Sequence, residues 1–279
     1  MSQPQPPAGA MKRRSGEMVT RTLLTAQDPD PVERHIAHGA HVILSCDHAS
    51  NRVPQSLAQL GLGDEVLARH IGWDIGAAAV TRRMAPALGA VAVLAGYSRL
   101  VIDCNRDPDD PSSIPATSDD VVIPGNRTLS AVARQARRAA IFAPYHAALT
   151  DLIERTLRRG VVPALISIHS FTPTLGGEAR RWHVCILWDG DGRIASPLLR
   201  ALRGDAALVV GDNEPYSARQ PAGYTMRHHA LERGLPHVAI EIRQDEIADD
   251  ASVAMWTERL AVALRPILND SALYRLWQK

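Results

Sequence analysis

The sequence predicts an α/β fold in which helices cover both faces of a sheet. Short apolar runs alternate with segments of helical periodicity from His41 onward. Several of these runs are apolar at consecutive positions, the pattern of strands buried on both faces. The 279 residues, 46% of them hydrophobic, suffice for one large domain or two small ones with a substantial core.

Taken in order, residues 1–38 are rich in prolines and polar residues (MSQPQPPAGA, QDPDPVERH) and are expected to form a flexible arm ahead of an α/β domain at 39–279. Strands are expected at 41–46, 90–94, 100–103, 163–169, 183–188, 206–211 and 237–242. Helices fill the intervals. The segment 63–72 opens with Asp64 near a cap position, and 73–89 should stop or bend at Pro86. Residues 128–160 form the longest helical pattern, with Thr128 or Ser130 as caps, a kink or break at Pro144 and a stop at Gly160. Helices at 196–204, 226–234 and 252–268 complete the set, and no internal repeat is visible. The segment 107–126, with four prolines and five aspartates, is too long for an ordinary connector and reads as a lid beside a site or a solvated excursion.

The bulk properties exclude some classes of function. A net charge of +1 offers no basic footprint for nucleic acid and no field to draw the chain to an anionic membrane, so the expected partner is a small molecule. Cys46, Cys104 and Cys185 are odd in number and lack CxxC spacing, which fits a reducing compartment. Lys12, Arg13 and Arg14 have no apolar segment behind them, and no run approaches a membrane span, so a cytoplasmic location is expected. Nothing in the pattern sets an oligomeric state.

In open α/β sheets, ligands bind beyond the carboxyl ends of the strands. Four runs here deliver polar residues at that end: Asp47, His48 and Asn51; Asp103, Asn105 and Arg106; His169 and Ser170; and Glu241 and Arg243. If those strands are neighbours, two histidines, several carboxylates and two guanidiniums form a hydrolytic site. Imidazoles suit a catalytic zinc, and a carboxylate near activated water suits a general base. A guanidinium beside an asparagine suits bidentate recognition of a carboxylate. Each residue also has a structural explanation. Histidines at strand ends can simply be hydrogen-bonded, Glu241 and Arg243 can form an ion pair on one sheet face, and Arg106 can tie down the aspartate-rich loop.

Together CDHASNRVP, SRLVIDCNRDP, ISIHSFTP, GDNEPY and PHVAIEIRQD, spanning roughly residues 40–250, resemble the N-formylglutamate amidohydrolase family. More distantly they are similar to the zinc carboxypeptidases and acylases. The resemblance implies a single-domain, phosphorylase/hydrolase-like mixed sheet flanked by helices. It also implies hydrolysis of an amide or formamide with glutamate-like specificity, using zinc or another divalent metal. Carried over by residue, His48 and His169 match the histidine ligands, Asn105 and Arg106 the carboxylate-binding pair, and Glu241 the base. Arg99 and Arg243 are further candidates for the substrate's carboxylates. Asn213 and Tyr216 lie in a segment that resembles a substrate-side loop. The pattern departs at Asn51, which stands where carboxypeptidase-like sites have a glutamate and is a poor zinc ligand. Asp47 and Asp74 are the substitutes, although Asp74 near a helix start would also serve as a cap. Of His228 and His229, at most one can face a site, and His146 reads as a packing histidine. Two other readings stand beside the metal hydrolase. Cys46 could act as a nucleophile with His169 or His48 as base, or the chain could be a metal-free binder of a small carboxylate.

Overall fold

The computed structural model describes residues 23–37, 40–219 and 223–277. Seven strands form one mixed sheet: β1 Val32–His35, β2 Val42–Cys46, β3 Val91–Ala95, β4 Ala164–Phe171, β5 Val184–Leu187, β6 Val210–Asp212 and β7 His237–Arg243. Their spatial order is β1-β3-β2-β4-β7-β5-β6. The four central strands β3, β2, β4 and β7 run parallel, while β1 and β5 pair antiparallel to β3 and β7.

Consecutive apolar residues in the central strands are explained by two cores. Alternation sends Val42, Leu44, Ile166, Ile168 and Ile240 to one face, against helices α1 Ala77–Leu88, α4 Ala195–Arg203 and α6 Asp250–Leu268. Ile43, Val93 and Leu165 face the other way, against α3 Ala143–Arg158. The remaining helices are α2 Ala131–Arg137 and α5 Tyr224–His229.

The long helical pattern behaves as its sequence requires. Ser130 caps α2 by accepting from the Ala133 N–H, a π-helical turn over Arg138–Phe142 precedes Pro144, and Gly160 ends the segment at φ +76°. Pro86 sits in the last turn of α1 without ending it, and Gly89 supplies the stop. The helix expected over 63–72 is reduced to one turn, Asp64–Leu67.

Three expectations are corrected. The run Leu100–Asp103 is buried but is not a strand. The outer edge of β3 is already taken by β1, so no ladder is open to this run, and side chains satisfy its backbone instead. Asn126 Nδ2 donates to the Leu100 carbonyl at 2.8 Å, and the buried Arg137 Nη1 donates to that of Val101 at 3.0 Å. The arm expected over 1–38 lies partly outside the described residues, but its portion Val32–His35 is the sheet-edge strand β1, held by Glu33 against Arg82 at 2.7 Å. Residues 206–209 are loop, because β6 begins only at Val210. The excursion 107–126 buries Ile114 and Ile123 in the second core and accepts the Asp103 N–H on Ser113 O, so it buttresses the turn below the site.

Candidate active site

The sheet order makes β2, β4 and β7 adjacent, so their carboxyl ends meet at one point. Parity then selects the side chains. Glu241 is paired in register with His169, and Ser167 with Ser45, so Glu241, His169, Ser167 and Ser45 all point to the face opposite Ile166 and Ile240. Asp47 follows on β2, and His48 completes the end of that strand. Of these groups His48, His169 and Glu241 border a cavity of about 620 Å³ lined also by Asp74, Arg99, Asn105, Arg106 and Tyr216, while Ser45, Ser167 and Asp47 lie buried behind it.

Both imidazoles lie between two carboxylates. His48 Nε2 is 2.7 Å from Asp103 Oδ1, and His48 Nδ1 is 3.3 Å from Asp74 Oδ2. His169 Nδ1 is 2.7 Å from the same Asp74 oxygen, and its Nε2 is 3.0 Å from Asp47 Oδ2. Carboxylates only accept, so His48 must either carry a second proton or give its Nδ1 to a cation, whereas His169 Nε2 also has the Ser167 hydroxyl as a partner at 3.0 Å. The donor atoms of His48, Asp74 and His169 lie within 4.8 Å of one another and are buried. With both rings neutral, the three aspartates outweigh Arg99 by two negative charges, which a divalent cation would cancel. Two imidazole nitrogens and one carboxylate also form the donor set of a catalytic zinc with a position left open. Asp103 and Asp47, on the far nitrogens, would then fix ring orientation. These residues therefore fit a metal.

The electrostatics follow from the packing. Burial opposes ionisation of Asp47, Asp74 and Asp103, but the imidazoles, and for Asp103 first the Arg99 guanidinium, hold all three carboxyls well below their usual range. Asp47 Oδ1 also accepts from Tyr145 at 2.7 Å and Thr225 at 2.6 Å. Glu241 behaves differently. Its Oε2 is sealed from solvent with no hydrogen-bond partner among the described residues, and burial pushes its carboxyl up, with His169 opposing.

The candidate residues therefore separate. Asp74 joins the cluster and is not a helix cap: Gly76, at φ +82°, occupies that position, and a Cβ there would lie 2.5 Å from the Ile247 carbonyl oxygen. Asp47 orients His169, and Asn51 neither lines the cavity nor joins the cluster. Arg99 is committed to Asp103 at 2.8 Å and approaches Asp74 at 3.5 Å, so it neutralises the site more than it offers itself to a ligand. Asp103 serves His48 and Arg99. Arg106 is exposed on the cavity wall with no carboxylate partner among the described residues. Beside it, Asn105 Oδ1 accepts from the Thr225 N–H at 3.1 Å, which leaves its NH₂ group for a ligand. Arg243 points away, bonded to Asp245, Glu246 and the Arg180 and Trp182 carbonyls. Asn213, at φ +53°, accepts from the Trp188 and Ala218 N–H groups and shapes its loop without lining the cavity. His146 and His229 bond each other at 2.9 Å outside the cluster, and His228 is exposed. Cys46 is fully buried, and burial together with Asp74 and Asp47 holds its thiol well above the usual cysteine range, which disables it as a nucleophile. Sequence reasoning passed over Tyr145, Ser167 and Thr225. Strand parity could have indicated Ser167, but nothing local marks the other two.

Residues 40–248 match the model of a family described as N-formylglutamate amidohydrolase. The protein belongs to this family. The N-formylglutamate amidohydrolase match covers every residue placed around the cavity. An N-formylglutamate deformylase of Pseudomonas aeruginosa is 27% identical over 205 residues, 66% of this chain and 74% of that protein. The crystal structure of gene product Atu2144 from Agrobacterium tumefaciens is 37% identical, with a TM-score of 0.82 over 88% of this chain and 100% of that one. An N-formylglutamate amidohydrolase from Ralstonia eutropha, 21% identical, shares the fold with a TM-score of 0.67 over 86% of this chain and 97% of its own. No helix among the described residues is long and apolar enough to cross a membrane.

Proposed function

We propose that this protein hydrolyses the N-formyl amide of an acidic amino acid such as N-formylglutamate in a metal-dependent reaction, releasing formate and the free amino acid. The observation that carries the reading is the buried His48–Asp74–His169 triangle set beside a carboxylate, Glu241, that has no partner for its Oε2. His48, Asp74 and His169 would hold a zinc ion. When bound, zinc supplies Lewis-acid polarisation of a carbonyl and lowers the pKa of water. Glu241 takes a proton from the attacking water as its oxygen adds to the formyl carbon, and returns that proton to the amide nitrogen as the C–N bond breaks. A raised pKa suits both halves of this cycle. Arg106 and the Asn105 NH₂ group hold a substrate carboxylate, a guanidinium-led grip that positions the formyl group.

The test is formate release from N-formyl-L-glutamate by protein as purified, after chelation, and after zinc is restored. Activity that disappears and returns is expected. Activity indifferent to chelation would remove the metal, and absence of formate in all three samples would remove the substrate and leave a carboxylate-binding protein.

A further inference from the structure

Arg180 is 7% exposed, yet has no carboxylate partner among the described residues. It follows the hairpin Thr174–Leu175/Glu178–Ala179, beyond the end of β4. Its Nη1 donates to the Tyr216 hydroxyl oxygen at 2.7 Å and reaches the Thr172 carbonyl at 3.5 Å. Its guanidinium carbon lies 4.8 Å from the centre of the Tyr216 ring and 5.7 Å from that of Phe171. Nε and Nη2 make no hydrogen bond among the described residues. These two donors are not sealed from solvent, so a guanidinium without a counter-charge presents them to an anion. Arg137, more deeply enclosed, shows the structural alternative, since oxygens of Val101, Gly125 and Asn126 surround its guanidinium.

The hydrogen-bond direction at Tyr216 adds a second observation. Arginine only donates, so the phenol oxygen is the acceptor and its own proton is left for another partner. Tyr216 lines the cavity, so a hydroxyl donor backed by a cation stands on the cavity wall. Of the other cations on that wall, Arg99 is already spent on Asp103 and Asp74, and Arg227 faces Asp107 at 3.5 Å. Arg106 with Asn105 answers one carboxylate of a dicarboxylate ligand, and the second requires another cation.

We infer that Arg180 and Tyr216 form a subsite for the side-chain carboxylate of the substrate, selecting acidic over neutral N-formyl amino acids. The inference rests on the proposed hydrolysis and names the residues that set its specificity.

The test compares kcat/KM for N-formyl-L-glutamate and N-formyl-L-glutamine in zinc-loaded wild type, Arg180→Met, Arg180→Lys and Tyr216→Phe. Arg180→Met should lower kcat/KM for the glutamate substrate roughly 100-fold while changing the glutamine substrate less than about threefold. Arg180→Lys should recover part of the preference, and Tyr216→Phe should lower it about tenfold. Equal losses on both substrates would overturn the subsite. If Arg180→Met fails to fold, Tyr216→Phe carries the comparison, because it removes one hydroxyl and keeps the ring. Calorimetric binding of glutarate against its monoamide needs no turnover. Wild type should favour glutarate and Tyr216→Phe should lose that preference, even if the hydrolysis itself is refuted. An unchanged preference would refute the subsite alone.

Discussion

Glu241→Gln should sharply lower turnover while leaving the fold as stable or more so, a combination that follows from where the carboxyl sits. Its Oε2 has no hydrogen-bond partner, so an isosteric amide breaks no protein contact at that atom. Burial, reinforced by Asp74 and opposed by His169, His48 and Arg99, raises its pKa above the ordinary 4.5. An acid with a raised folded pKa ionises earlier in the unfolded chain. The native state therefore loses stability as pH climbs from about 4.5 through the folded pKa, by about 1.4 kcal/mol for each tenfold change in proton affinity. Glutamine carries no such cost. In metal-free protein at pH 7 the variant should melt at or above the wild-type temperature, and the gap should close as the pH falls toward 4.5. Loss of the proton acceptor should lower kcat by about 10²–10⁴. Formate release, zinc content per chain and thermal unfolding measure the three quantities. Turnover within about threefold of wild type would remove Glu241 from the base role, and a variant less stable at pH 7 than wild type would refute the electrostatic argument.

Asp47→Asn should weaken zinc binding by about 10–100-fold in a chelator competition, because its Oδ2 orients His169 through Nε2, and Asp74→Asn should cost more; wild-type affinity in Asp47→Asn would refute the orienting role. The pair formed by His146 and His229 should make the protein acid-sensitive. Burial lowers their pKa values to about 4 and about 3, so below the ordinary 6.5 the unfolded chain takes up protons that the native state refuses. The stability of wild type relative to His229→Gln should therefore shrink by about 2 kcal/mol between pH 7.5 and pH 5. Urea unfolding at the two pH values would show this, and a constant difference would place the titration elsewhere.

Much of the architecture was readable because its causes are local. The all-apolar runs at β2, β3, β4 and β7 require cover on both faces wherever they are placed, and Ser130 and Gly160 mark the ends of a helical segment by backbone geometry alone. Leu100–Asp103 misled for the converse reason. Its composition is that of a strand, but whether it pairs depends on a free sheet edge, and β1 from the proline-rich arm holds that edge. Arg243 misled in a similar way. It shares a strand face with Glu241, yet lies far enough along β7 to be taken by Asp245 and Glu246.

The sequence by itself determined which groups were available for chemistry: His48, His169, Glu241, Asn105 and Arg106, all at or just beyond apolar runs. Only the tertiary structure decided their roles. Asp74 reaches His48 and His169 across 26 and 95 residues, and Thr225 reaches Asp47 across 178. Such contacts depend on the order of strands in the sheet. Burial then sets the chemistry, because the same surroundings that hold the aspartates ionised beside imidazoles raise the proton affinity of a glutamate whose Oε2 has no hydrogen-bond partner among the described residues.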